Sequence, residues 1–362
     1  MIPTQSVPSV PPLYAVILAG GHGERFWPLS RRAKPKHHLA LFSDRTLLSA
    51  TIDRLDGFIA PERIIVLTGV DQADAVRALL PELPEENFIV EPLRRDTAAA
   101  MALAAGSIAR RDPAATVIVL PADHHIPSAL DFQNTLRSAV RAAEANAAIV
   151  TVAIAPEWAC PGFGYLELGE RFEQDGNVIR PVVRFHEKPS AQTAEAYLEQ
   201  GNFSWNAGMF VWSVAALKEA LRSTAPELFA FCIALQECGD AQLFLNENFA
   251  SVPRVSFDYA VMEKLSGALA VEAAFAWDDL GGWAAAGKYF PSDVHGNSGN
   301  APIVSVDARN NIVFSTDPGQ HIALLGVEGL IVVNTGDALL VCPRDQAERL
   351  KELVSGLPSK LQ

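Results

Sequence analysis

Short β-rich runs alternating with helical stretches constrain this chain more than any other feature of its sequence. Apolar, β-branched runs at 14–18, 64–68, 88–91, 116–120 and 149–154 are separated by helical patterning at 46–58, 71–80, 97–110 and 132–145. Strands that alternate with helices pair in parallel through crossovers, which puts helices on both faces of one sheet. The run TVIVL at 116–120 is nearly continuous in apolar residues, as a strand buried on both faces requires. The expected fold is therefore α/β: a doubly wound, mixed but mainly parallel, Rossmann-like sheet, with ligands gathered beyond the carboxyl ends of its strands. After residue 154 the rhythm loosens, with strands expected at 162–168, 182–185 and 209–212. Past about residue 287, short runs such as APIVSV, NNIVFST and GLIVVNT alternate with Asp, Asn and Gly. They predict a small all-β, β-helix-like domain closed by a helix at 344–354. The expected divisions are a flexible lead at 1–12, an α/β domain at 13–287 and the β domain at 288–362.

Composition narrows the partners. With 362 residues, 49% of them hydrophobic, the chain can bury a large core, while its net charge of −13 argues against nucleic acid. A local basic cluster can still hold an anionic substrate. The four cysteines, at 160, 232, 238 and 342, form no CxxC pair and read as reduced thiols. No apolar run approaches the ~18 residues of a membrane span. Residues 1–12 hold four prolines and no Lys or Arg, unlike a signal or transit peptide, so a cytoplasmic protein is expected.

The first expected strand runs directly into LAGGHGERFWPLSRRAKPKHH. Small residues here allow a tight turn whose backbone N–H groups can approach phosphate oxygens. Phe26 stands where a dinucleotide fingerprint needs its third glycine, and no GK[ST] follows, so neither that fingerprint nor a P-loop is present. Arg25 and Lys36 strengthen the phosphate reading, one as a fork and one as a mobile point charge, although a solvated surface pair is the plain alternative. Asp123 closes TVIVLPAD just past the apolar run at 116–120, well placed for Mg²⁺, or it only forms the turn after Pro121. His37-His38 and His124-His125 are neighbours rather than i,i+4 pairs, which favours structural or solvated roles over zinc.

Several collinear motifs resemble the sugar-1-phosphate nucleotidyltransferases, and within them the mannose-1-phosphate guanylyltransferases. They are Gly20-Gly21-His22-Gly23-Glu24-Arg25-Phe26 through Ser30, Pro35-Lys36, Leu120 to His124, Gly162 to Glu167 and Phe185 to Pro189. They continue with Trp205 to Phe210, Asp258 to Lys264 and Trp277-Asp278-Asp279-Leu280-Gly281, covering about 13–285. The resemblance implies a nucleotidyltransferase sheet, often with a small β-helical tail that dimerises. It implies that GMP passes from GTP to α-mannose 1-phosphate, giving GDP-mannose and pyrophosphate by in-line attack on the α-phosphate. Arg25, Lys36 and Asp123 would be catalytic, with Gly20, Gly21 and Gly23 around the nucleotide. Asp123 and Asp279 would hold Mg²⁺, while Asp278, the neighbour that leaves the register open, faces solvent or caps local backbone. Departures from the family pattern are His37-His38, usually Gln-Phe, and Asp96 and Ala99 around the matching Thr97, also counted with the nucleotide.

Glu91 closes the strand FIVE. An ionised carboxylate accepts two hydrogen bonds, which suits the N1–H and amine of guanine and not adenine, though it could be a plain strand-end residue. From the resemblance, Glu187 accepts sugar hydroxyls, Lys188 pairs with the sugar phosphate, Gly164 lets the ring approach and Asn206 binds a hydroxyl. A surface turn and a loop residue are the plain readings of EKP and Asn206, and Trp205 and Phe210 read as core. Expected partners are GTP, a sugar 1-phosphate and a second copy of the chain in a homodimer. The β tail lacks phosphate- or metal-binding clusters, so self-association rather than chemistry is its expected role. Rival readings are another sugar, a heptose or glucose 1-phosphate, and a non-catalytic nucleotide-sugar sensor; the latter is disfavoured because Arg25, Lys36, Asp123 and Asp279 are all present.

Overall fold

The structure is a computed structural model that describes residues 11–362 except His22, Asp175 and Pro318, so most of the expected lead at 1–12 lies outside the described residues. The chain forms two compact units that interleave along the sequence.

The first unit takes in the described residues up to Leu18, Arg54–Pro121 and Pro127–Ala276. Its strands are β1 (Leu13–Ala19), β2 (Ile64–Gly69), β3 (Phe88–Glu91), β4 (Thr116–Pro121), β5 (Val150–Ile154), β6 (Tyr165–Leu168), β7 (Phe172–Gln174), β8 (Asn177–His186), β9 (Phe203–Ser213) and β10 (Leu269–Glu272). They make one ten-stranded sheet in the order β3-β2-β1-β4-β9-β5-β10-β8-β6, with β7 beside β8. β1 and β4 are parallel, as are β5 and β10, and β9 runs antiparallel between β4 and β5. The sheet is thus mixed, with β1, β4, β5 and β10 pointing one way around a reversed β9. The expected strands at 64–68, 88–91 and 116–120 each fall within an observed one.

Helices α2 (Ala73–Leu79), α3 (Asp96–Arg111) and α4 (Ala129–Asn146) fill expected stretches, as does α1 (Leu47–Asp53) in the second unit. Serine at 128 caps α4 by accepting from the Asp131 N–H, and Ala147 ends it in the left-handed region. The sequence pattern does not mark α5 (Ala191–Gln200), α6 (Val214–Thr224), α7 (Pro226–Glu237) or α8 (Ala241–Asn248). The core joins Val16, Ile65, Val117 and Val119 of the sheet to the alanine-rich face of α3 and to Leu228, Cys232 and Leu235 of α7.

The second unit collects Ala19–Asp53, Ala122–Ile126 and Trp277–Gln362. After the short α9 (Trp283–Ala286) come β11 (Ser298–Gly299), β12 (Ile303–Val306), β13 (Ile312–Ser315), β14 (Ile322–Leu325), β15 (Leu330–Asn334) and β16 (Leu339–Pro343), then α10 (Leu350–Ser355). β11, β13 and β15 stack in parallel, as do β12 and β14, which is the coil of a β-helix closed by antiparallel β16. Asparagines at 297 and 311 are buried between coils, where the Asn311 amide donates to Asn297 Oδ1 at 2.8 Å and to the Val327 carbonyl at 3.1 Å. One apolar cluster joins Phe26, Trp27, Leu280 and Trp283 to Ile312, Phe314, Ile331, Val333, Leu350 and Val354. The glycine-rich turn and the β tail therefore share a core.

Candidate active site

In the second unit the glycine-rich turn is built around Gly23, whose φ of +67° lies in the left-handed region. A Cβ there would stand 2.2 Å from Lys36 Cβ, so both conformation and space demand glycine. The Ser30 hydroxyl donates to the Gly23 carbonyl at 2.7 Å and fixes the bend. Gly20 and Gly21 are exposed and have open space where side chains would be.

Packed against Gly23, the buried Lys36 ammonium reaches Asp123 Oδ2 at 2.9 Å and donates to the Asp279 main-chain carbonyl. Two of its three N–H groups are thereby committed and one is left over. The two aspartates meet because His125 and Asp278 form a two-way backbone bridge, with N–H···O distances of 2.9 and 3.1 Å. Burial raises the Asp123 carboxyl, but the fields of Lys36 and His124 outweigh it and hold the group below the usual range. Burial pushes Asp279 up to about 6; Lys36 opposes this, while Asp278 and Asp123 add to it. Arg25, 43% exposed, pairs with Glu348 at 2.9 Å.

This donor set fits a divalent cation. Asp279 and Asp123 repel each other's charge, which a cation would relieve, and both offer hard oxygen ligands. Among the described residues no group of three or more His, Cys, Asp or Glu could hold a metal. Two carboxylates, with phosphate oxygens and water completing the shell, are the usual provision for magnesium at phosphate-transfer sites.

A second group of candidates lies in the first unit. At the end of β3, Glu91 has a buried Oε1 without a hydrogen-bond partner among the described residues. Burial lifts its carboxyl to about 7, against Arg94 and with help from Asp96. Thr97 is engaged structurally, its Oγ1 accepting the Phe257 N–H at 2.8 Å. Gly164 is pressed against Glu187, since a Cβ would sit 2.7 Å from Glu187 Oε2 and 3.0 Å from the Phe185 ring. Lys188 pairs with Glu187 at 3.0 Å. The Asn206 oxygen accepts from Thr151 Oγ1 at 2.8 Å, and its amide nitrogen donates to Asp258 at 3.2 Å, leaving one amide hydrogen. Gly164, Glu187, Lys188 and Asn206 are thus gathered, with Asp258 among them.

The nucleotidyl transferase family profile matches residues 14–293, and a β-helix profile of the mannose-phosphate isomerase and guanylyltransferase type matches 301–357. A mannose-1-phosphate guanylyltransferase of Escherichia coli K12 is 36% identical over 94% of this chain and 73% of its own length. One from Sinorhizobium fredii is 34% identical over 96% of this chain and 68% of its own. A crystal structure from Thermus thermophilus, described as a mannose-1-phosphate geranyltransferase, superposes with a TM-score of 0.84 at 34% identity, over 95% of this chain and 98% of that one. The chain belongs to the mannose-1-phosphate guanylyltransferase family. Members of that family are enzymes of GDP-mannose biosynthesis that transfer GMP from GTP to mannose 1-phosphate.

For a mannose-1-phosphate guanylyltransferase, three details go beyond or against the sequence reading. Asp278 does not face solvent: it is buried, accepting the Leu280 N–H at 2.8 Å and the Tyr289 hydroxyl at 3.2 Å, so only the backbone-capping alternative holds. The histidines are packing groups: Trp277 Nε1 donates to His124 Nδ1 at 3.1 Å, His125 makes tilted ring contacts with Phe42 and Tyr289, and burial lowers His38 to about 4. Asp258 lies beside the candidate residues Asn206 and Glu187, a placement that sequence reasoning misses. Burial first, then the charge of Glu187, raise it to about 7. Its place in DYAVMEK is legible, but its nearness to Asn206 and Glu187 is not. Trp205 and Phe210 are buried, Phe210 against Phe257, as core residues should be.

Proposed function

We propose that this chain transfers GMP from GTP to α-D-mannose 1-phosphate, with Arg25, Lys36 and Asp123 as its catalytic residues. A sugar-phosphate oxygen forms a new bond to the α-phosphorus, the α–β bridging bond breaks, and the electron pair leaves with pyrophosphate. No general base is needed, because the attacking phosphate is already ionised near neutral pH. The observation that carries this reading is the Lys36 ammonium, tied to Asp123 and to the Asp279 backbone with one N–H to spare for a phosphate oxygen. Arg25 would exchange Glu348 for the triphosphate, and Gly20, Gly21 and Gly23 would keep side chains clear of it. Asp123 and Asp279 would hold Mg²⁺, which when bound offsets charge on the phosphates. Among the sugar residues, Glu187 would accept hydroxyl groups, Lys188 would pair with the sugar phosphate, and Asn206 would offer its remaining amide hydrogen beside the close approach at Gly164. The α/β domain at 13–287 would carry the chemistry.

Glu91, with Thr97 nearby in sequence, would read the base. Pyrophosphate release measured over a grid of nucleotides and sugar 1-phosphates tests the whole reading. GTP with mannose 1-phosphate is expected to be the best pair, and a heptose or glucose 1-phosphate turned over faster would overturn the sugar assignment. Glu91→Gln is expected to shrink the preference for GTP over ATP, since a mispaired buried amide costs about 1–3 kcal/mol. Glu91 accepts both guanine donors only when ionised, and its carboxyl lies near 7. The GTP:ATP ratio of kcat/KM should therefore rise between pH 6 and 8 in the parent and stay flat in the Gln variant. An unchanged ratio in both would mean that Glu91 does not read the base.

A cytoplasmic homodimer is the expected setting. All four cysteines are free thiols, and no helix among the described residues is long and apolar enough to cross a membrane. The β domain at 288–362 leaves Val304, Val306 and Leu325 exposed at 58, 56 and 75% on the outer face of β12 and β14. A second copy of the chain would cover them. Val306→Glu combined with Leu325→Glu should sediment as a monomer while melting like the parent; a dimer that survives both charges must use another face.

A further inference from the structure

We propose that Lys351, supplied by the C-terminal helix α10, is a further phosphate-binding residue that grips the part of the nucleotide leaving as pyrophosphate. The proposal rests on the triphosphate reading of the turn given above. Lys351 lines the same cavity, about 420 Å³, as Gly23, Arg25, Lys36 and Asp279. Three cations line that cavity, Arg25, Lys36 and Lys351; Glu348 already pairs with the first and Asp123 with the second, which leaves the charge of Lys351 for a ligand. Packing places the lysine there. Leu350 and Val354 on α10 are buried in the cluster that contains Phe26 and Trp27, so the helix rests on the turn that presents Arg25. Glu348, just before the helix, is already in contact with that guanidinium at 2.9 Å. The Trp27 indole also donates to the Leu361 carbonyl at 2.8 Å, tying the chain beyond α10 to the same turn.

Lys351 makes no hydrogen bond or ion pair among the described residues, whereas Lys36 and Arg25 are both committed to carboxylates. An unpaired, exposed ammonium on a flexible stem suits the mobile end of a triphosphate, where a point charge serves better than a rigid fork. The β tail, expected only to associate, would on this view also complete the nucleotide cradle.

Titration calorimetry of inorganic pyrophosphate, in MgCl₂, onto the full-length parent, K351Q, K351R and E348Q tests this directly. K351Q is expected to bind pyrophosphate about tenfold more weakly, the scale of one lost charge-assisted contact, and K351R to stay within about twofold of the parent. The KM for GTP should rise by a similar factor in K351Q, with the KM for the sugar phosphate unchanged. Pyrophosphate binding equal to the parent in K351Q would overturn the proposal, as would tighter binding in E348Q with no effect of K351Q, because Arg25 alone would then hold the ligand. Equal rises in both KM values would also overturn it, since they indicate a general loss. If the parent turns over no GTP yet binds pyrophosphate through Lys351, the functional reading fails and this inference survives.

Discussion

Asp279→Asn is expected to lower turnover about 10²–10³-fold, the usual scale for losing one key electrostatic contact to a transition state, while the protein melts at or above the parent temperature. The two effects have one origin. Burial raises the Asp279 carboxyl from 3.8 to about 6. A carboxyl whose folded value lies above its unfolded one weakens the fold as pH rises through that window, and the full cost is present at pH 7–8. Neutral asparagine removes that cost together with the charge that would hold the metal. Asp278→Asn should behave in the opposite way. Its oxygen can still accept from the Leu280 N–H, but the amide cannot accept the Tyr289 hydroxyl or pair with Lys288, 3.8 Å away. A loss of about 1 kcal/mol in stability, with turnover largely retained below the melting transition, is the expected outcome. Magnesium titration separates the cases, because only the Asp279 variant should need more metal. An inactive Asp278 variant beside an active Asp279 variant would reverse the assignment, and two active variants would place the second metal ligand elsewhere.

A chain ended after Lys288 is expected to lose its activity together with its fold, rather than becoming an active monomer. The deletion removes Ile312, Phe314, Ile331, Val333, Leu350 and Val354, which cover Phe26, Trp27, Leu280 and Trp283. Each large apolar side chain returned to water costs about 1.5–3 kcal/mol. Four of them rival the whole net stability of a typical domain, about 5–15 kcal/mol. The Trp283 indole, which donates to the Trp27 carbonyl at 2.9 Å, sits at the centre of this cluster and should report the loss in near-ultraviolet circular dichroism. A truncated protein that keeps the parent's kcat and Trp signals would show that the turn stands without the β tail. Self-association is accordingly tested by surface charges on β12 and β14 and not by deletion.

Much of the first unit was legible in the sequence, because strand and helix periodicities are set by neighbours two to four residues apart. The runs that became β2, β3 and β4 and the helices α3 and α4 follow from that local rule. Glycine chemistry was legible too: Gly23 precedes a bend that only its positive φ permits. The β-helix was readable as a run of short strands punctuated by Asp, Asn and Gly.

Tertiary structure decided the rest. The reversed β9 between β4 and β5 could not be read, since an apolar strand looks the same in either direction. Asp278 and Asp279 are alike as adjacent letters; the bridge to His125 and the Tyr289 hydroxyl make one a buried cap and leave the other beside Lys36. Asp258 joins Asn206 from 52 positions away, and Trp27 meets Leu361 across 334. Such contacts have no period to betray them. They arise because apolar faces on distant segments find a common core, and the polar groups at its rim take their partners from whatever that packing brings near.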